Sequence, residues 1–105
     1  MYDLSIQIKK GLLDLCVLAL VDKKERYGYE LAELLAEKTN SSIGTIYPIL
    51  RKMKEAGLLT TKLSEDSGGP PRKYYYITAL GKEMHAKERQ NWQQLNTAIN
   101  SLIGE

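Results

Sequence analysis

Cys16 and His85 are the only cysteine and the only histidine among 105 residues. One of each cannot assemble a zinc site of the Cys/His type, which takes about four such ligands, and no local pattern joins them as a thiol–imidazole pair. Cys16 lies inside the apolar run Leu15 to Val21, where a thiol behaves as a small buried hydrophobe. No paired acid and base, phosphate-cradling loop or nucleophile constellation is present, so the sequence implies no enzyme, no metal and no cofactor. The side chains with a chemical use are hydroxyls and cations. Ser42, Thr45, Tyr47, Arg51 and Lys52 fall in one stretch, and Arg72 and Lys73 follow a Gly-Gly-Pro-Pro tract. Hydroxyls and free helix-start amides hold phosphate oxygens, a guanidinium matches guanine with two parallel bonds, and basic side chains beside a duplex gain by releasing counterions.

Charge distribution agrees with that chemistry better than total charge does. The net charge is only +2, but Ile43 to Lys73 holds six basic residues against three acidic ones, a local excess of +3 that leaves −1 for the rest. Hydrophobic residues make up 43% and charged residues 27%, ordinary values for a folded chain of one core. The apolar run is far shorter than the roughly 20 residues of a membrane span, and Asp14 and Asp22 bracket it. The first residues do not read as a secretory leader, so a cytoplasmic location without membrane contact is expected.

Elements must now be found to carry those side chains. Ile6 to Val21 is too apolar all round for a surface helix and too long for a strand, so it reads as a central buried helix. Tyr27 to Thr39 places Tyr27, Leu31, Leu34, Leu35 and Lys38 at helical spacing, which gives a second, amphipathic helix. Asn40-Ser41-Ser42 is a capping cluster that opens a third helix. Pro48 is harmless only in a first turn, which leaves Thr45 as an alternative cap. On this helix Ile43, Ile46, Ile49, Leu50 and Met53 share a core face, while Gly44, Pro48, Arg51 and Glu55 project the opposite way. Gly57 ends it. Leu58 to Leu63 and Lys73 to Thr78 read as two strands joined by a long turn-forming tract. From Thr78, which serves as its cap, a last helix is expected to run to about Ile103, with Trp92, Leu95, Ile99 and Leu102 spaced as a coiled-coil seam. A hairpin packed on three helices, followed by one long helix, is a mainly α winged helix-turn-helix. Residues 1–78 form its DNA-binding unit and residues 79–105 a dimerisation helix.

At Tyr27-Gly28-Tyr29-Glu30, Gly44-Thr45-Ile46-Tyr47-Pro48, Gly57-Leu58-Leu59 and Gly68-Gly69-Pro70-Pro71-Arg72-Lys73-Tyr74-Tyr75 the chain resembles the PadR family of bacterial transcriptional regulators. The resemblance runs from about Leu12 to the C-terminus, and the short final helix resembles the compact branch that dimerises through it. What it implies is a homodimer on double-stranded DNA, repression, and an effector. Some compact members that control multidrug exporters resemble this chain in having a tryptophan near the position of Trp92.

Several side chains have a structural alternative. Arg51 and Lys52 could merely solvate a helix face, and Arg72 could pair with Glu65 or Asp66. Tyr74, Tyr75 and Tyr76 alternate faces in a strand, so at least one packs inward, and core packing is the favoured role for Tyr27 and Tyr29. Trp92, paired with its copy across a two-fold axis, could line a cavity for a flat hydrophobic compound, although plain interface packing is favoured slightly. Ile6, Ile8 and Leu12 are further candidates for intersubunit packing. A winged helix that docks a protein partner without specific DNA binding is the rival reading.

Overall fold

The computed structural model describes Lys9, residues 11–65 and residues 68–104. Helices span Leu12–Lys23 (α1), Gly28–Thr39 (α2), Ile43–Glu55 (α3) and Ala79–Leu102 (α4), with strands at Arg26–Tyr27 (β1), Leu59–Ser64 (β2) and Arg72–Ile77 (β3). The strands form one antiparallel sheet in the order β1-β3-β2. Val17, Leu18 and Val21 of α1, Leu31, Ala32 and Leu35 of α2, and Ile46, Leu50 and Met53 of α3 meet in a core closed by Leu59 and Tyr75 from the sheet. The expected core face of α3 is the one that packs.

Three expectations need correction. The expected helix is interrupted at Gly11, whose φ of 80° departs from the helical path, and α1 starts at Leu12; Lys9 ahead of it is helical, and the expected start at Ile6, with Ile8, lies outside the described residues. This helix is also only half covered: Leu13, Val17, Leu18 and Val21 are buried, whereas Leu12, Leu15, Cys16, Ala19 and Leu20 keep partial exposure. The second helix starts at Gly28, and Tyr27 belongs to β1. The expected hairpin is β2 and β3, and β1 adds a third strand to it, with Arg26 opposite Tyr75 and Tyr27 opposite Tyr74. Two residues are too few to show a period-2 pattern, so tertiary pairing alone makes them a strand.

Polar residues set the joints. Asn40 ends α2 in the left-handed conformation, and the Ser41 amide donates to the Ala36 carbonyl at 2.9 Å. Ser42 then caps α3, accepting from the Thr45 amide at 3.2 Å, so the cap is Ser42 and not Thr45. Pro48 consequently sits in the second turn. It withholds the amide that would have bonded to the Gly44 carbonyl, but both residues are exposed and water can satisfy that oxygen. At the other end, Gly57 at φ 79° lets its own amide reach Lys54 and the Leu58 amide reach Met53, both at 3.0 Å. That pair of bonds is a Schellman closure.

Thr78 fastens the last helix to this closure. Its hydroxyl accepts from the Gly81 amide at 3.0 Å and donates to the Gly57 carbonyl at 2.6 Å, while its amide donates to the Leu58 carbonyl at 3.1 Å. The start of α4 is therefore tied to the end of α3. Gly81 is buried and Met84 and His85 are half-buried, but every residue from Ala86 to Gly104 is exposed.

Candidate nucleic-acid interface

The face of α3 opposite the core is free. Gly44, Thr45, Pro48, Arg51, Lys52, Lys54 and Glu55 are exposed and Tyr47 is half-buried. Hollows flank this face on either side, and they divide the residues expected to bind DNA.

On the wing side, Tyr47, Arg51, Arg72 and Lys73 line a groove of about 430 Å³ together with Tyr27, Tyr29, Lys54 and Tyr75. β3 supplies its wall. Tyr75 points into the core while Tyr74 and Tyr76 face the other way, half-buried, as alternation along a strand requires. Gly28 leaves room for the Tyr75 ring, since a Cβ there would lie 3.0 Å from its Cε1. Arg72 lays its guanidinium over the Tyr27 ring, 4.8 Å from the centroid, a cation–π contact that holds the charge at the groove's edge. It makes no ion pair with Glu65, and Asp66 lies outside the described residues. Tyr27 in turn stands 6.0 Å from Tyr74, ring to ring.

Two phenols of the groove, Tyr47 and Tyr75, are held in their neutral form. Burial raises the Tyr47 pKa above its ordinary value, and the neighbouring Tyr27 and Tyr29 hydroxyls add to the shift. Burial likewise raises Tyr75, with Tyr47 adding and Arg51 opposing. Tyr47 can therefore donate its hydroxyl proton to a phosphate oxygen or base acceptor at neutral pH. Tyr29, expected to pack in the core, is 48% exposed and lies on this groove. Leu31 and Leu35 mark the core face of α2, and Tyr29, about 200° from Leu31 around the helix, lies on the opposite face. Lys54 was missed although it stands seven residues, about two turns, after Tyr47.

On the α1 side, Ser42, Thr45 and Lys52 line a hollow of about 560 Å³ with Lys9 and Asp14. The Ser42 and Thr45 hydroxyls lie 2.9 Å apart, Lys9 donates to the Asn40 carbonyl at 2.9 Å, and Lys52 pairs with Asp14 at 3.1 Å. Arg51 and Lys52 are consecutive but line different hollows.

The other singled-out residues lie elsewhere. Trp92, Leu95, Ile99 and Leu102 form an exposed stripe on α4, at 38%, 55%, 41% and 85% exposure. Trp92 and Leu95 border a hollow of about 170 Å³ with Leu12, Leu15 and Glu88. Cys16 is half-buried against the core with its thiol pKa raised by burial. His85 places Nε2 3.8 Å from Asp22, and its buried Nδ1 has no hydrogen-bond partner. No helix among the described residues is long and apolar enough to cross a membrane.

A two-helix unit joined by the three-residue turn Asn40 to Ser42, with its second helix exposed and a cationic sheet beside it, defines a winged helix-turn-helix protein of the DNA-binding class. The model of the transcriptional regulator PadR-like family matches residues 17–87. An uncharacterised protein of Lysinibacillus sphaericus is 31% identical over 100 residues, covering 91% of this chain and 92% of that protein. A PadR-like transcriptional regulator from Bacillus cereus superposes with a TM-score of 0.85 at 39% identity, over 94% of this chain and 98% of that one. A PadR family transcription regulator from Clostridium difficile does so with a TM-score of 0.78 at 32% identity, over 90% and 100%. The chain belongs to the PadR-like family of transcriptional regulators, DNA-binding proteins that are not enzymes.

Proposed function

We propose that the protein is a homodimeric repressor that seats one α3 of each protomer in successive major-groove segments of a pseudo-palindromic operator, about 34 to 36 Å apart. The observation that carries this reading is the groove in which Tyr47 and Arg51 of α3 face Arg72 and Lys73 of the wing. Arg51 reads a guanine edge or a phosphate, Tyr47 donates beside it, and Arg72 and Lys73 meet the neighbouring minor groove or its phosphates. Ser42, Thr45 and Lys52 hold the backbone on the far side of the helix.

Residues 1–78 act as the DNA-binding unit and residues 79–105 as the dimerisation helix. The bare stripe of Trp92, Leu95, Ile99 and Leu102 supports this division, as does the half-covered apolar surface of α1. The bonds from Thr78 to Gly57 and Leu58 link α4 directly to the end of α3, so a change in how two α4 helices cross alters the separation of the two α3 helices. A flat hydrophobic effector beside Trp92 releases the operator if it binds the released geometry more tightly. A Trp92→Ala variant that retained both effector binding and release would rule out that part.

Fluorescence anisotropy of the protein on its own upstream DNA and on a scrambled duplex, at two salt concentrations, tests the central reading. Salt-sensitive preference for the upstream duplex supports it. Equal affinity for both duplexes, or salt-independent association with a protein partner in their place, refutes it.

A further inference from the structure

Two α3 lysines are treated differently by the fold, and the difference bears on how tightly a duplex is held; the inference rests on the DNA-binding reading above. Lys54 lines the wing-side groove, where Arg51, Arg72 and Lys73 join it and no carboxylate is among the lining residues. Lys52 lines the α1-side hollow, where Asp14 is a lining residue and holds its ammonium at 3.1 Å. A helix of 10–12 Å diameter fills a major groove about 12 Å wide, so a phosphate backbone runs along each flank. One backbone meets the wing-side cations. The other meets Ser42, Thr45 and Lys52, with the Asp14 carboxylate among them.

We propose that Asp14 acts as an internal stand-in for a DNA phosphate, holding Lys52 in the free protein, yielding it to the duplex backbone on binding, and so limiting affinity. The pair suits exchange. Its side chains are 66% and 34% exposed, so water and salt screen it and it is weak. A duplex offers Lys52 a denser line of charge and the release of condensed counterions. Exchange nevertheless gives up the Asp14–Lys52 attraction, and that loss opposes every complex that recruits Lys52. Asp14 is thus a positioning residue on α1 that lowers DNA affinity through a residue of α3.

The test is anisotropy titration of the wild type, Asp14→Asn, Lys52→Gln and the double variant on the upstream and scrambled duplexes, across a salt series. Asn is nearly isosteric with Asp and the pair is exposed, so thermal melting checks that all four proteins keep their fold. Asp14→Asn is expected to tighten low-salt binding by about 2- to 5-fold, the worth of an exposed ion pair, and the gain should shrink to less than half in the Lys52→Gln background. Lys52→Gln alone should reduce the slope of log affinity against log salt by about 0.9, the loss of one phosphate contact. An equal gain from Asp14→Asn with and without Lys52 overturns the proposal, because the carboxylate would then act by general repulsion. So does an unchanged salt slope in Lys52→Gln. If the wild type itself binds no duplex, the DNA reading falls and this inference with it; binding without the expected pattern removes this inference alone.

Discussion

Leu95→Ala is expected to weaken the dimer without harming the protomer. Leu95 is 55% exposed on a helix whose outer residues are all bare, so about half of its side chain remains to be covered by a partner. Full burial of a leucine side chain is worth about 1.5–3 kcal/mol, which makes the newly covered half worth about 1 kcal/mol. Two-fold symmetry places the substitution twice in one interface, so the dimer should lose about 2 kcal/mol, a roughly 30-fold rise in the dimer Kd. Sedimentation equilibrium over a concentration series reads this directly. Operator binding should weaken in parallel at protein concentrations below the new Kd, while thermal melting at high concentration changes little. A dimer Kd within 3-fold of the wild type would refute the assignment of this stripe as the interface, and a monomeric wild type would refute the dimer itself.

Gly81→Ala should destabilise the fold by about 1–3 kcal/mol, read as a lowered melting temperature, because the added Cβ would overlap the Leu58 carbonyl oxygen and lie 2.7 Å from Ile77 Cγ1; an unchanged melting point would show that the joint between α3 and α4 is looser than described. Because the Tyr75 phenol pKa is raised on folding, its contribution to stability is intact at neutral pH and is lost as pH climbs past about 10, where the unfolded phenol ionises first. Tyr75→Phe should accordingly flatten the alkaline fall in denaturation midpoint, with Tyr47, raised in the same sense, leaving a residual fall. Burial raises the Cys16 thiol as well, so iodoacetamide should modify the native protein more slowly than the unfolded chain at pH 8, with a rate that climbs about tenfold per pH unit below the thiol pKa. Equal rates in both states would place the thiol in solvent.

The core face of α3, the Gly57 stop, the Thr78 cap and strand ends within a residue of the observed ones were all legible in the sequence. Each follows from local physics: a 3.6-residue period, a left-handed glycine, or a hydroxyl that accepts a nearby amide. The cationic, hydroxyl and phenolic residues that line the candidate interface could be nominated from the sequence, since residue type sets what a side chain can bind. Tertiary structure decided how they are grouped. Tyr27 became a strand residue because β3 offered its edge, Arg72 and Lys73 of the wing came to share one groove with Tyr29, Tyr47 and Arg51, and Asp14 of α1 came within 3.1 Å of Lys52. Those outcomes depend on which element packs against which, and side chains 38 residues apart in sequence become neighbours only when the core closes between them.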